Sequence, residues 1–314
     1  MALNRQAEAM LQLLDARGDK PVPESTPDEV RASNWQWVEF MGEPEPVAAV
    51  QDTYIPGPTA ELHIRMYTPQ GGVRPFPCVV FFHGGGWTAG NIHLADRPHR
   101  SVANATGCVV VAVNYQKAPE HRFPAALNDC YASVEWVVDH ATELAIDPAK
   151  IGVGGDSAGG NLAAAVCLKA RDTRRVDLAF QLLIYPAVEP DMDFQSAREN
   201  SEGYVLTTAA MRWFWDNYVP DQAQRNNPLA APLRSVALDG LPPAVVVTAG
   251  YDPLRDEGER YADRLEESGV IVLRHCYRST IHGFLWMAGA LTDDFRQLIN
   301  DLGADVSALL SARG

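Results

Sequence analysis

The hydrophobic pattern changes along the chain from alternation to continuous apolar runs. Residues 48–55 and 61–68 alternate apolar and polar side chains, which predicts two edge strands that begin the sheet in antiparallel fashion. Further along, the strand-like segments are apolar runs of the kind found in strands that are buried on both faces. These runs cover residues 77–82, 108–113, 150–154, 180–185, 244–248 and 270–275.

Segments with helical character separate the later strands. They cover residues 95–105, 124–140, 160–171 and 258–268. Strands that alternate with helices favour a mostly parallel sheet with helices on both faces. The sequence therefore predicts an α/β fold with a sheet of about eight strands.

Two segments fall outside this alternation. Residues 3–14 carry apolar side chains at helical spacing and predict an amphipathic helix, whereas residues 21–45 show no strand pattern. The segment between Tyr185 and Ala244 also lacks a strand signal, but its residues 211–218 place several aromatic side chains on one helical face. We expect this second segment to be an insertion that packs over the sheet.

Composition and charge narrow the classes of partner. The chain has 314 residues, enough for one large α/β domain or two small ones, and a formal net charge of −14. This acidity argues against nucleic acid or an anionic membrane as a partner, because phosphates need a basic surface. No apolar run approaches the roughly 20 residues of a membrane span, and residues 1–10 lack the pattern of a signal peptide. The five cysteines form no C-x-x-C pair, which favours a reducing compartment, and we expect a cytoplasmic location.

The most informative motif is Gly155-Asp-Ser157-Ala-Gly159, which lies between a predicted strand and a helical run. Strand, sharp turn and helix form the setting of a nucleophile elbow, in which the serine is lifted out of the sheet. Glycine fits at both flanking positions because side chains there would crowd each other. The turn also directs the Ala158 N–H toward the point where negative charge would develop. The alternative is a glycine-rich turn with an incidental serine.

A serine nucleophile needs a base, and the base needs a group that orients it. Asp252 and His282 each follow one of the later predicted strands, where ligands bind in sheets of this class. The order Ser157, Asp252, His282 is the one expected for an α/β-hydrolase. Asp256 and Glu257 are alternative acids, and Asp252 could instead cap a helix.

A third motif, His83-Gly84-Gly85-Gly86, directly follows the first buried strand. Adjacent glycines allow backbone N–H groups to turn toward a ligand, so this loop is a candidate for the second half of an oxyanion hole. A phosphate-binding loop fits less well, because no Gly-Lys-Ser/Thr follows. The histidines show neither H-E-x-x-H nor clustered ligand spacing, so we expect no metal and no other cofactor.

Together these motifs resemble those of the hormone-sensitive-lipase-like (family IV) carboxylesterases. The matching segments are residues 83–86, 118–124, 155–160, 251–257 and 282–284, within a resemblance that covers about residues 45–290. One departure concerns the loop that usually begins Tyr-Arg-Leu-Ala-Pro-Glu, which here reads Tyr115-Gln116-Lys117-Ala-Pro-Glu120. This departure leaves the role of the usual arginine open.

The resemblance implies an α/β-hydrolase core with a helical cap. The implied segments are an N-terminal cap segment at residues 1–47, core at 48–188 and 241–314, and a cap insertion at 189–240. It also implies that Ser157 is the nucleophile, His282 the base and Asp252 the acid. The implied oxyanion donors are the N–H groups of Gly85, Gly86 and Ala158, with Gly84 as a further candidate. The candidates for the substrate pocket are Trp87, Tyr185, Trp213 and Phe284.

The implied substrate is a dissolved small-molecule ester with an acyl chain of about two to eight carbons, because bulky cap residues fill the space that a longer chain needs. An aromatic stripe of this kind is more typical of the hydrophobic core of the cap than of a wall of the substrate pocket. It consists of Trp213, Trp215 and Tyr218. An amidase or arylacetamide-type deacetylase would use the same residues. A non-catalytic small-molecule receptor of the same fold is disfavoured, because His282 is present. The last strand could also offer an edge for a homodimer.

Overall fold

The computed structural model describes residues 2–313, and within them eight strands form one sheet in the order β1-β2-β4-β3-β5-β6-β7-β8. The strands are β1 (Ala49–Pro56), β2 (Glu61–Thr68), β3 (Phe76–Phe82), β4 (Val109–Val113), β5 (Ile146–Asp156), β6 (Gln181–Ile184), β7 (Ala244–Tyr251) and β8 (Val272–Ile281). All neighbours from β4 to β8 pair in parallel. The prediction of a mostly parallel, eight-stranded α/β sheet is confirmed.

The two N-terminal strands differ in part from the prediction. β2 pairs antiparallel with both β1 and β4, so it lies inside the sheet and only β1 is an edge strand at this end. Its burial alternates only partly, because Leu62, Ile64 and Tyr67 are buried while their neighbours are half-exposed. Leu62 and Ile64 belong to the core on one face of the sheet and Tyr67 to the core on the other, so β2 is partly covered on both faces, as expected of its place inside the sheet.

Nine α-helices lie within the described residues. They are α1 (Arg5–Arg17), α2 (Pro27–Ser33), α3 (Asp96–Thr106), α4 (Ala125–Asp139), α5 (Ala158–Thr173), α6 (Gln195–Glu199), α7 (Thr208–Tyr218), α8 (Arg255–Glu267) and α9 (Thr292–Ser311). Helices α4, α5 and α8 contribute to the core on one face of the sheet, and α1, α3 and α9 contribute to the core on the other. The central strands serve both cores, because successive side chains such as Val79 and Val80 point to opposite faces. Helix α9 was not among the predicted helices.

The N-terminal helices have clear local signals. Asn4 caps α1 by accepting a hydrogen bond from the Ala7 N–H at 2.7 Å, and Gly18 ends the helix in a left-handed conformation. Thr26 and Glu29 form a reciprocal capping box at the start of α2. No helix in residues 2–313 combines the length and the apolar character that crossing a membrane would require.

Candidate active site

Three strands of the parallel sheet end at the same edge, and each is followed at once by a residue of the predicted site. Ser157 follows β5, Asp252 follows β7 and His282 follows β8. Because the carboxyl ends of parallel strands meet at one edge of a sheet, these side chains lie together despite their separation in the sequence. The strand β8 continues to Ile281, whereas the apolar pattern predicted an end at residue 275. His282 therefore sits at the strand end itself and not in a loop beyond it.

The three side chains form a hydrogen-bonded series. His282 Nε2 lies 3.0 Å from Ser157 Oγ, and His282 Nδ1 lies 2.6 Å from Asp252 Oδ2. All three residues are buried, with Asp252 fully so. An ionised carboxylate can only accept, so Nδ1–H donates to Asp252 and Nε2 of the neutral ring is left to accept the serine proton. The second Asp252 oxygen accepts the Leu254 N–H at 2.8 Å, which fixes the carboxylate.

The alternative acids are engaged elsewhere. Asp256 accepts the Ser196 N–H at 2.7 Å and pairs with Arg255. Glu257 accepts the Val188 N–H at 2.7 Å, and burial raises the pKa of Glu257 well above its usual range. Among the described residues, Asp252 is thus the carboxylate that reaches His282.

The turn that holds Ser157 is strained and tightly packed. Ser157 has φ 56° and ψ −120°, an unusual conformation for a residue with a side chain. A Cβ on Gly159 would overlap the Phe82 carbonyl, and a Cβ on Gly155 would overlap the Gly159 carbonyl. The motif therefore needs both glycines because the backbone of β3 and the turn approach each other closely.

The glycine loop after β3 lines the same cavity as Ser157 and carries backbone N–H groups without a protein acceptor among the described residues. Gly85 and Gly86 have φ values of 115° and 59°, and the Gly85 carbonyl turns away to accept the N–H groups of Thr88 and Ala89. Within residues 2–313, the N–H groups of Gly85, Gly86 and Ala158 have no hydrogen-bond acceptor. The Gly84 N–H differs, because it donates to Asp156 Oδ1 at 2.8 Å. Gly84 is therefore not available as an oxyanion donor, contrary to its inclusion as a candidate.

Asp156 is a buried group that the motif analysis did not single out. Its carboxylate accepts the Gly84 N–H and, at 2.7 Å, the Nε1–H of Trp286. Burial raises the pKa of Asp156 to about 6, and these two donors act in the opposite direction. The carboxylate thus joins the elbow, the glycine loop and the segment after His282. Only the side chain's neighbours reveal this role, because the sequence shows a variable position inside G-x-S-x-G.

A cavity of about 140 Å³ opens beside Ser157. Its polar floor consists of Ser157, His282, Asp156 and the loop 84–86. The remaining wall is mostly apolar and comes from the N-terminal segment, the insertion, the segment before α3 and the segment after His282. Those wall residues are Asn34, Trp37, Leu94, Val205, Leu206, Met211, Phe214, Gly283, Trp286 and Met287.

None of the four residues predicted to form the substrate pocket lines this cavity. Trp87 is fully buried and stacks on Tyr218 with ring centroids 4.5 Å apart. Tyr185 lies against the His282 ring at 4.7 Å and supports it from the core, with Phe284 behind. Trp213 is half-buried on α7, and its neighbour Phe214 faces the cavity instead. The prediction was wrong for Trp213 because one residue along a helix rotates a side chain by about 100°, and it was wrong for the other three because their side chains are buried in the core.

The loop that departs from the family pattern packs behind the glycine loop. The Ala118 N–H donates to the Trp87 carbonyl at 2.9 Å. Arg31 of α2 donates to the carbonyls of Thr88 and Ala118 at 2.9 and 3.0 Å and also pairs with Glu120. The cap segment, the glycine loop and this loop are therefore joined by one guanidinium, whose planar set of donors suits such bridging.

Gln116 and Lys117 occupy the two positions of the departure. The backbone N–H of Gln116 donates to Asp129 Oδ2 at 2.8 Å, and its side-chain amide donates to Asp129 Oδ1 at 3.2 Å. Burial raises the pKa of Asp129 above its usual range. In the usual sequence an arginine would stand beside this carboxylate, whereas here two neutral donors satisfy it. Lys117 approaches Tyr115, with Nζ 4.9 Å from the centroid of the ring.

The fold and this geometry define the class of protein. A family model described as alpha/beta hydrolase fold matches residues 79–286. The chain belongs to this family and, within it, to the hormone-sensitive-lipase-like carboxylesterases.

Named relatives agree with this assignment. The chain is 38% identical over 278 residues to the carboxylic ester hydrolase LipN of Mycobacterium tuberculosis, covering 86% of this chain and 74% of that one. It is 41% identical over 242 residues to an arylesterase of Saccharolobus solfataricus, covering 77% of this chain and 78% of that one. An ester hydrolase from the metagenome of Lake Arreo, solved with a phosphonate derivative, superposes with a TM-score of 0.94 at 38% identity, over 98% of this chain and 99% of that chain. The predicted fold, family and enzyme class, a carboxylic ester hydrolase, are confirmed.

Proposed function

We propose that the chain is a serine carboxylesterase that hydrolyses short- to medium-chain acyl esters through an acyl-enzyme on Ser157. The observation that supports this most strongly is the series from Ser157 through His282 to Asp252, with distances of 3.0 and 2.6 Å. These lengths lie within hydrogen-bonding reach for a nucleophile, its base and the group that orients the base.

In the first half of the reaction, Ser157 Oγ attacks the ester carbonyl carbon while its proton passes to His282 Nε2. The carbonyl oxygen becomes an oxyanion, which the N–H groups of Gly85, Gly86 and Ala158 stabilise. Their lack of other acceptors supports this role, because donors that are free before the reaction stabilise the oxyanion without rearrangement. Collapse of the tetrahedral intermediate breaks the bond to the alcohol oxygen, and His282 returns the proton to the leaving alcohol.

In the second half, water replaces the alcohol. His282 removes a proton from water, whose oxygen attacks the acyl carbon and forms a second oxyanion in the same position. Collapse releases the carboxylic acid and returns the proton to Ser157. Asp252 keeps the imidazole in the tautomer with hydrogen on Nδ1 and stabilises the imidazolium that forms in each half.

The walls of the cavity support a limited acyl size. We propose that residues 1–47 and 189–240 act as the cap, since Trp37, Leu206, Met211 and Phe214 from these segments close over Ser157. In a space of about 140 Å³, added methylenes gain burial only until the apolar wall is reached. The best kcat/KM is expected for acyl chains of about two to eight carbons, at up to ~0.8 kcal/mol per methylene before the limit.

The test is Ser157→Ala, assayed on p-nitrophenyl butyrate and with a serine-directed phosphonate. We expect the hydrolysis rate to fall by about 10⁴-fold or more and labelling to disappear, with little change in the melting temperature. Ser133→Ala is the matched control, because Ser133 is also buried but lies on α4 and donates to the Asp129 carbonyl. Labelling that persists in Ser157→Ala would contradict the proposal.

A further inference from the structure

Lys117 carries a positive charge behind the glycine loop without a carboxylate partner. Its Nζ donates to Asn114 Oδ1 and to the Tyr115 carbonyl, both at 2.9 Å. Within residues 2–313 no carboxylate forms an ion pair with this ammonium. A half-buried cation that has only neutral acceptors costs solvation free energy, and the family pattern has leucine at this position. This cost indicates that the charge of Lys117 has a function.

A series of contacts links Lys117, through Tyr115 and His83, to Gly84 and the glycines that follow it. Its Nζ lies 4.9 Å from the centroid of the Tyr115 ring, within the range of a cation–π interaction. The Tyr115 ring in turn stacks on the His83 ring, with centroids 4.5 Å apart and an interplanar angle of 17°. The Tyr115 hydroxyl also donates to the His83 carbonyl at 2.7 Å.

His83 in turn holds the first glycine. Its Nδ1 lies 2.7 Å from the Gly84 carbonyl oxygen, and the Gly84 N–H is held by Asp156. The peptide units on both sides of Gly84 are thus fixed, and the next residues supply the free N–H groups of Gly85 and Gly86. Burial keeps the imidazole of His83 neutral, since its pKa lies well below the usual range and the Lys117 charge adds to this effect.

We propose that Lys117 is a positioning residue whose positive charge clamps Tyr115 and His83 and thereby fixes the oxyanion donors of the glycine loop. This inference rests on the proposed acyl-enzyme function, because it assigns the clamp to the oxyanion of that reaction. The charge strengthens the two hydrogen bonds that Lys117 Nζ donates and its contact with the Tyr115 ring. A neutral side chain of the same length would retain only the packing.

The clamp has a dependence on pH. Burial lowers the pKa of Lys117 to about 8, so the ammonium loses its proton as the pH rises through that value. The charged and titratable groups that face it are Asp129 and Cys130 of α4, Arg31 of α2 and His83. We expect kcat to fall on the alkaline side as the clamp loses its charge.

The test compares Lys117→Met with wild type and uses Lys169→Met as a matched control. Lys169 makes the same kinds of contact, with Nζ 2.9 Å from Asn128 Oδ1 and 4.7 Å from the Tyr131 ring centroid, but it lies on α5 away from the glycine loop. For Lys117→Met we expect kcat to fall by about tenfold with KM changed less than about twofold, and we expect the alkaline limb near pH 8 to vanish. Lys169→Met should retain both the rate and the limb.

Two further measurements separate positioning from general stability. The affinity for a trifluoromethyl ketone, which places an oxyanion in the hole, should fall by the same factor as kcat in Lys117→Met. In Lys117→Arg the charge persists at high pH, so the rate relative to wild type should rise between pH 7 and pH 9.5.

The proposal is overturned if Lys117→Met keeps kcat and the alkaline limb, or if it loses no more activity than Lys169→Met. If Lys117→Met does not fold, the comparison of Lys117→Arg with wild type decides, and parallel pH profiles overturn the proposal. A fully active Ser157→Ala would instead contradict the proposed function itself, which keeps the two failures distinct.

Discussion

Asp156 is a carboxylate that the proposed reaction neither consumes nor protonates, yet it is fully enclosed beside the nucleophile. It receives one N–H from the glycine loop and one from Trp286. A Cβ on Gly84 would overlap its carboxylate, so the loop is packed directly on this charge. Through these contacts Asp156 fixes the peptide that precedes the proposed oxyanion donors, and its ionisation is linked to folding.

We predict a specific pH dependence of stability for Asp156→Asn. Burial raises the folded-state pKa of Asp156 to about 6 from its ordinary value of 3.8, so between these values the native state binds more protons than the unfolded state. The stability that this group contributes is therefore present at low pH and is lost as the pH rises through about 6. Urea unfolding at several pH values between 4 and 8 should show wild type losing stability relative to Asp156→Asn as the pH rises.

The slope of the stability difference against pH is the quantity to measure. The asparagine NH₂ group would face an N–H donor and destabilise the variant at every pH, so the size of the difference alone is not informative. Asp193→Asn, at an exposed position of the insertion, should follow wild type throughout. A stability difference between Asp156→Asn and wild type that stays constant with pH would contradict the raised pKa.

The choice of acid is a second prediction at this scale. Asp252→Asn should lower kcat by about 10³–10⁴-fold, because an amide at this position favours the wrong tautomer of His282. Asp256→Asn should change kcat by less than about threefold, since Asp256 contacts Ser196 and Arg255 instead. Steady-state kinetics of both variants would test this. If Asp256→Asn lowered kcat more than Asp252→Asn, the assignment of the acid would be wrong.

Among the elements, α7 contributes Phe214 to the cavity wall. Its ring packs over Gly86, and the residue also lines a groove of about 610 Å³ along the N-terminal helices. The residues that line both spaces are Asn34, Trp37, Val205, Leu206 and Phe214. We expect removal of the Phe214 ring to extend the cavity toward this groove.

We therefore predict that Phe214→Ala moves the preferred acyl chain to greater length, by about two to four carbons, as each newly buried methylene contributes up to ~0.8 kcal/mol. Rates for p-nitrophenyl esters from acetate to palmitate would measure this shift. Trp213→Ala is the control on the same helix, because Trp213 does not line the cavity. A shift in Trp213→Ala and none in Phe214→Ala would contradict the assignment of the wall.

Much of the fold was predictable at the level of elements, because buried parallel strands leave unmistakable apolar runs. The ends of β8 and the position of Phe214 were not predictable in the same way. Residues 276–281 mix polar and apolar side chains, and the pairing of β8 with β7 shifts register between Ala249 and Tyr251 of β7. The hydrophobic periodicity therefore stops before the strand does. Pocket walls depend on which side of a helix meets the cavity, and adjacent aromatics on α7 offer no signal for this.

Ser157, Asp252 and His282, the residues of the proposed triad, could be singled out for a different reason. A strained serine turn requires small flanking residues, and strand ends collect reactive side chains, so both constraints are visible in the sequence. Asp156, Trp286 and Arg31 act through contacts between distant segments. Such contacts become visible only in three dimensions.

For the whole molecule, charge and surface bear on the physical state of the substrate. The net charge is −14, and the most exposed large apolar residues include Val73 and Val236, which lie on separate segments. The other exposed large apolar residues in the described part of the chain are Leu13, Trp35, Tyr54 and Ile271, which also come from different segments, whereas a lipid surface engages a broad apolar patch. We expect a dissolved substrate to be preferred over an aggregated one.

This predicts no interfacial activation. The rate on p-nitrophenyl octanoate should saturate below the solubility limit and show no increase when the substrate begins to form aggregates. A jump in rate at that limit would contradict the prediction.

Strand β8 forms one edge of the sheet, and pairing of two copies through it stays a prediction that light scattering in solution would test.

The central claim is that the acyl group passes through Ser157, and trapping the intermediate tests it most directly. Wild-type protein would be mixed with p-nitrophenyl butyrate, quenched in acid during turnover, digested and examined by mass spectrometry. We expect a butyryl group on Ser157 that is absent in Ser157→Ala and strongly reduced in His282→Ala. A butyryl group on another residue that forms and decays at the turnover rate, or turnover without any acylated Ser157, would contradict it.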